Sequence, residues 1–162
     1  MKKTGKVSDR RTLRFGRMTD LTADIDQLIA AGEIEVTGNW TAAQIVAHVS
    51  GLIRMSIDGF GFKAPLLIRL AGPLMRSRVL NHPMSAGFKL KGAAAEAIVP
   101  SPSVTWDGAV ADLRAQVERV ERGAKMSHRS PVFGQLEHEE WAQLHCRHAE
   151  MHFSFMKSGA TA

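Results

Sequence analysis

Helical spacing near the C-terminus places histidine where a chain of this size needs hydrophobic core. Trp141, His145, His148, His152 and Phe155 recur at intervals of 4, 3, 4 and 3 residues, the repeat that aligns side chains along one face of an α-helix. The inward stripe of that helix is therefore largely imidazole. His148 and His152 are one turn apart, so both rings project toward the same point. A neutral imidazole in a core needs a partner for each ring nitrogen, and a cation shared by two stacked rings meets that need. A third ligand must come from another segment. His48, set among Ile45, Val46, Ala47 and Val49 in a second strongly helical stretch, is the candidate.

The competing reading is a set of hydrogen-bonded core histidines, which is the commoner fate of a single histidine on an apolar face. Two or three on one stripe favour a metal. The only cysteine, Cys146, excludes a disulfide framework and a cysteine-based zinc cluster within one chain. It reads as a small helix residue. Three imidazoles suit zinc or nickel, with iron or copper next, rather than magnesium or calcium, which prefer oxygen. Three protein ligands also leave a coordination position open, as catalytic metal sites do. His145, on the edge of the arc, reads as an interhelical hydrogen-bond partner or a donor behind the ligands. Glu150 falls roughly 160° around the helix from His152 and is expected to face solvent. Glu137, Glu139 and Glu140 read as first-turn acids favouring the helix dipole, with His138 exposed among them. The sequence contains no G-x-S-x-G, P-loop, G-x-G-x-x-G or HExxH motif.

Four segments carry helical periodicity, and none reads convincingly as a strand. The first covers 18–31, with Met18, Leu21, Ile25 and Leu28 inward, Asp20, Asp24 and Asp26 on the other side, and Gly32 as its stop. The second starts at Thr41, where Gln44 completes a capping-box signature, and ends near Gly59 or Gly61. The third runs over 106–122, capped by Thr105 and closed by Gly123. The fourth follows Gly134 and is expected to reach about Lys157. Four such helices in 162 residues, 44% of them hydrophobic, predict a single all-α domain built as a four-helix bundle.

Residues 62–100 form a long crossover punctuated by proline and glycine, with a short helix around 66–80 that Pro73 should cut short. No acidic residue lies between Asp58 and Glu96, whereas Lys63, Arg69, Arg76, Arg78, Lys89 and Lys91 are basic. A solvated connection is the favoured reading of 63–91. A lid that attracts an anionic substrate comes second, and a membrane-surface segment third. The net charge of +5 is concentrated in residues 1–17, where seven basic residues stand against Asp9 alone. Residues 1–12 therefore read as a basic, solvated N-terminal arm, and 13–158 as the domain. No nucleic-acid partner is expected of the nearly neutral remainder. With neither a signal-peptide pattern nor an apolar run of bilayer length, no membrane association and a cytoplasmic location are expected.

The order Trp40-Thr41-x-x-Gln44-Ile45-x-x-His48, then far downstream His148-x-x-x-His152, resembles the DinB/YfiT-like superfamily of metal-dependent enzymes. Residues 130–136, before Glu140-Trp141, are similar to a branch catalogued only as a domain of unknown function. The resemblance covers about 13–155. It implies an up-down-down-up four-helix bundle with a long crossover between helices 2 and 3, a divalent metal on His48, His148 and His152, and frequently a homodimer. It further implies a metal that activates a thiol, water or carbonyl of a small-molecule substrate, as in thiol-dependent transferases or hydrolases that use low-molecular-weight thiols such as mycothiol or bacillithiol. The alternative is a bundle that binds a metal or ligand without catalysis. The chain departs from the superfamily pattern at Glu137-His138, where a Ser or Thr cap is usual, and at Phe153-Ser154-Phe155, where Arg-Gly-Gln is common.

Overall fold

Hydrogen-bonding side chains set where the helices begin. In the computed structural model, which describes residues 7–87 and 92–159, the Thr41 hydroxyl accepts from the Gln44 amide while the Gln44 side chain accepts from the Thr41 amide, closing the expected capping box of α2 (Ala42–Asp58). Thr105 caps α5 (Trp106–Glu121) through the Gly108 amide. Glu137, which lacks the usual hydroxyl, still closes a capping box with Glu140 at the start of α6 (His138–Phe153). Glycines with positive φ terminate the segments, Gly32 at 97° after α1 (Thr19–Ala30) and Gly123 at 100° after α5. Two more helices fill the crossover: α3 (Leu66–Asn81) and α4 (Ala93–Ile98).

The fold is mostly helical. α2 packs on both α5 and α6, α1 lies against α5, and α3 rests on α6. Leu21, Ile25, Ile53, Leu113, Met126 and Phe153 are fully buried at the centre. α6 is covered on nearly every side, with Leu144, His145, Cys146, Arg147, Ala149 and Glu150 all buried in succession save His148.

The structure corrects the sequence reading in several places. Two short strands exist, β1 (Ile34–Val36) and β2 (Met156–Ser158), paired antiparallel with Val36 opposite Met156 and Ile34 opposite Ser158. α6 therefore stops at Phe153 rather than near Lys157, because the chain turns at Ser154 and leaves as β2. Pro73 lies inside α3 and does not end it. α4 carries no clear periodic signal in six residues and was not anticipated.

Within the described part of the basic arm Ser8, Asp9 and Thr12 are exposed, but Arg10 and Arg11 are half-buried and bonded to the domain rather than solvated. The Arg11 guanidinium makes two bonds to the carboxylate of Asp24, at 2.8 and 2.7 Å, and also donates to the carbonyls of Phe153 and Met156. Its backbone amide donates to the Ser154 carbonyl. Arg11 thus occupies the Phe153 and Ser154 carbonyls that the C-terminus of α6 leaves unpaired, together with one carbonyl of β2. Asp24 is consequently buried rather than facing water. Four residues on, the Phe15 amide donates to the Glu150 carboxylate at 2.5 Å, the Phe15 carbonyl accepts from Arg147, and Arg147 pairs with Glu150 at 2.9 Å. Glu150 is therefore buried beneath the N-terminal segment, against the solvent-facing position expected. Lys2, Lys3, Lys6, Lys89 and Lys91 lie outside the described residues.

Because Asp24 loses its partner in a nearly dry setting when the guanidinium is removed, Arg11→Ala should lower unfolding stability by about 2–4 kcal/mol, read as a lower urea midpoint with an unchanged slope. A midpoint within the scatter of exposed-arginine controls would show that the clasp contributes nothing.

Candidate metal centre

Three of the chain's imidazoles converge at the C-terminal end of α6. His48 from α2 and His148 and His152 from α6 each present a ring nitrogen, and these three atoms lie within 4.8 Å of one another. The residues singled out from spacing alone are thus brought together. His48 Nε2 and His148 Nε2 are 3.2 Å apart, close to the ~3.3 Å that separates two nitrogens each about 2.0–2.1 Å from one tetrahedrally bound zinc. Ring centroids are 5.0 Å apart for His48 and His148, 4.6 Å for His48 and His152, and 4.5 Å for His148 and His152.

The protonation of His48 follows from its partner. Its Nδ1 lies 2.8 Å from the Ile98 carbonyl, which can only accept. Nδ1 therefore carries the hydrogen and Nε2 presents its lone pair to the cluster. This arrangement, with one ring nitrogen donating to a carbonyl and the other free to ligate, is how protein metal sites orient their histidines. Ile98 is the last residue of α4, and the Gln44 side chain donates from Nε2 to the Pro100 carbonyl at 3.5 Å, so the crossover holds the ligand from behind. His148 Nδ1 is buried without a hydrogen-bond partner among the described residues, so in the metal-free protein the ring is oriented by packing and by the contact of its Nε2 with His48 Nε2.

Trp40 forms one wall. Its ring stacks on His152 at 5.7 Å and 10°, and sits 4.9 Å from His48. The strand pair explains how it comes to be there: β1 beside β2 brings residues 37–40 past Phe155, with the Thr37 amide donating to the Phe155 carbonyl at 3.0 Å. Gly38 passes so close to the Phe155 ring that a Cβ there would stand 3.3 Å from it. Arg10 lies over the Phe155 ring, its guanidinium carbon 4.4 Å from the centroid and its Nε donating to Ser154 Oγ at 3.0 Å. Sequence spacing identified the three histidines but not the roles of Ile98 and Arg10. A backbone carbonyl leaves no residue-type signal, and Arg10 looked like one of many tail charges.

Burial disfavours protonation throughout this group. It is the largest cause lowering the pKa of His48, opposed by the bond to Ile98. His148 is pushed well below the usual imidazole range by burial and then by repulsion from His152, His48 and His145. His152 is lowered likewise by burial, then by His48 and by the Arg10 charge. Near neutral pH all three rings are uncharged, the form that ligates a metal.

His145 stands outside the cluster. Ser56 Oγ gives its hydrogen to the Ile53 carbonyl at 2.6 Å, so it accepts from His145 Nε2 at 3.0 Å. The His145 ring stacks on Trp141, which in turn stacks on Phe60. It is the interhelical partner anticipated, joining α6 to α2. Cys146 is buried, and burial followed by the nearby Glu150 charge pushes its thiol up to about 12, so it is a protonated core residue. His138 is half-buried and accepts from the Met126 amide, rather than standing free. Glu140 is engaged by Arg76.

Burial pulls the His145 pKa down to about 3, below the ~6.5 of an unfolded histidine. The unfolded chain therefore takes up the proton first, and stability is lost as pH falls below about 6.5, at about 1.4 kcal/mol per pH unit for this group. In metal-free protein, His48, His148 and His152 add to the loss with the same sign. Urea midpoints measured between about pH 7 and 5 should fall with pH, and His145→Gln should flatten the slope by about one proton. An identical slope in that variant would show that His145 does not contribute.

No curated protein and no solved structure matches the chain. A family model does match it, over residues 7–158, which takes in the clasped N-terminal segment and the six helices and two strands of the described residues. On that match the chain belongs to the family described as protein of unknown function, DUF1569.

Proposed function

We propose that the protein is a metal-dependent enzyme of the DinB-like type, with His48, His148 and His152 holding one divalent transition metal, zinc or nickel in the first instance and iron next. The observation that carries this reading is the convergence of three ring nitrogens, one of them with its tautomer set by the Ile98 carbonyl. In this reading α1, α2, α5 and α6 are the four helices of an up-down-down-up bundle, and residues between α2 and α5 are its crossover. A metal on three imidazoles supplies a Lewis acid with a position left for a water, thiol or carbonyl group of a small molecule.

The chain's own side chains then have defined tasks. His48 is held in register by α4. Trp40 shields the His152 face from water and gives an apolar wall for a substrate. Arg10 keeps positive charge near His152, which disfavours its protonation. Two groups on α6 with nucleophile or base chemistry are committed elsewhere: Cys146 is a buried, protonated thiol, and Glu150 is bound to the Phe15 amide. That commitment supports a reaction in which the nucleophile arrives with the substrate, such as a low-molecular-weight thiol in a transferase or a water in a hydrolase. The same commitment favours a second reading, a bundle that binds a metal without catalysis. A cytoplasmic location and a homodimer go with the first reading.

Elemental analysis of tag-free protein beside a His148→Ala/His152→Ala variant tests the site. Near-stoichiometric zinc or nickel in the parent, lost in a variant that keeps its circular dichroism, is the expected result. A parent that takes up neither ion on incubation would overturn the proposal. Chelation separates the two readings: a catalytic site should leave the fold intact with thiol-transfer or hydrolytic activity lost, whereas a structural site should lower the melting temperature sharply.

A further inference from the structure

The helix α3 is apolar on the wrong side. Among the described residues seven large hydrophobic side chains are exposed, and five of them, Leu66, Leu67, Leu70, Leu74 and Met75, lie within ten residues of α3. Leu67 and Leu74 are 80% and 85% exposed, close to full solvation. At about 100° per residue the five fall on one arc roughly 180° wide, opposite the buried Gly72 and Leu80. Scattered exposed leucines need no explanation, but a contiguous apolar helix face does.

Rotation of the helix does not relieve this exposure, because its inner face is fixed. Gly72 meets the backbone of Val132 so closely that a Cβ would stand 1.9 Å from the Val132 carbonyl oxygen. Arg76 donates to Glu140 and, at 3.0 Å, to the Gln135 carbonyl. Since Pro73 is accommodated inside the helix, the apolar arc continues unbroken through Met75.

We propose that this outward face of α3 docks on an anionic lipid bilayer. The charges around it favour that occupant. Lys63 stands before its N-terminal end and Arg78 near its C-terminal end, both exposed, and no acidic residue occurs between Asp58 and Glu96. Leucines facing the acyl boundary with lysine and arginine at headgroup level is the arrangement of helices that lie in a membrane interface. A second copy fits less well. A two-fold axis across α3 would set Lys63 of one copy near Arg78 of the other with no acid to offset them, and five side chains on one helix fall short of the roughly 800 Å² per partner of a stable interface. The docked orientation leaves the histidine cluster clear, since α3 meets α6 at Glu140 and His152 lies about 18 Å further along that helix.

Vesicle co-sedimentation of the full chain tests the proposal, with phosphatidylglycerol mixed into phosphatidylcholine against phosphatidylcholine alone. The parent should bind the anionic vesicles, weaken as salt is raised, and bind the neutral ones far less. Leu67→Gln/Leu74→Gln, at positions whose side chains support no packing, should keep its melting temperature and lose at least about tenfold in vesicle affinity. Lys63→Glu/Arg78→Glu should lose the preference for anionic lipid. Failure of the parent to bind either vesicle, or equal binding to both, would overturn the proposal. So would a dimer in sedimentation velocity that the leucine variant dissociates, which would make the face a protein interface.

Discussion

A buried helix that carries polar side chains needs partners for them, and α6 imposes that requirement on everything around it, leaving only a few nitrogens such as Arg147 Nε and His148 Nδ1 without a hydrogen bond among the described residues. A neutral imidazole without a partner in a dry interior costs about as much as a buried leucine contributes, and an unpaired guanidinium or carboxylate costs more. The neighbouring elements divide the task by face. α2 supplies Ser56 for His145 and His48 for His148. The N-terminal segment supplies the Phe15 backbone for Arg147 and Glu150, and the Arg11 guanidinium for the Phe153 carbonyl that ends the helix. Once those faces are taken, what remains of the polar stripe is the nitrogen cluster beside Trp40. The site is thus where the helix's demand for partners is met by histidine from two directions.

This division also explains why the crossover matters to a site it does not enter. His48 can offer its Nε2 lone pair only because Nδ1 is tied to the Ile98 carbonyl. α4 is one and a half turns long, and its end carries the one backbone acceptor that determines the His48 tautomer. A change that displaced α4 by an ångström or two would break that bond and free the ring to flip. The positioning shell of the cluster is therefore distributed across residues 10, 40 and 98, far apart in sequence, while the nitrogens themselves come from two helices.

How much of this could be read beforehand depends on the length scale of the signal. Helix starts at Thr41 and Thr105 and stops at Gly32 and Gly123 were legible, because caps and left-handed glycines act within four residues. The three histidines were legible because helical period is local and a third ring on an aliphatic helix is conspicuous. Glu150 and Asp24 were misread for the opposite reason. Each lies on the outer arc of its own helix, and only a contact from more than a dozen residues away, through Phe15 or Arg11, turns that arc inward. β1 and β2, three residues each, are too short for alternation to register and exist by pairing with each other. Pro73 was expected to break a helix; the tertiary contact of Gly72 with Val132 outweighs the local cost.

The pairing of β1 with β2 has a temporal consequence. It joins residues 34–36 to residues 156–158, and the two facing nitrogens of His48 and His148 are separated by 100 residues of chain. Contacts of such sequence separation are among the last to form, since closing long loops precedes any return from them. On a ribosome, α1 and α2 emerge long before the strand that brings Trp40 beside His152. The imidazole cluster accordingly waits for residues 148–158: until they are made, His48 has neither of the two rings it meets in the folded protein.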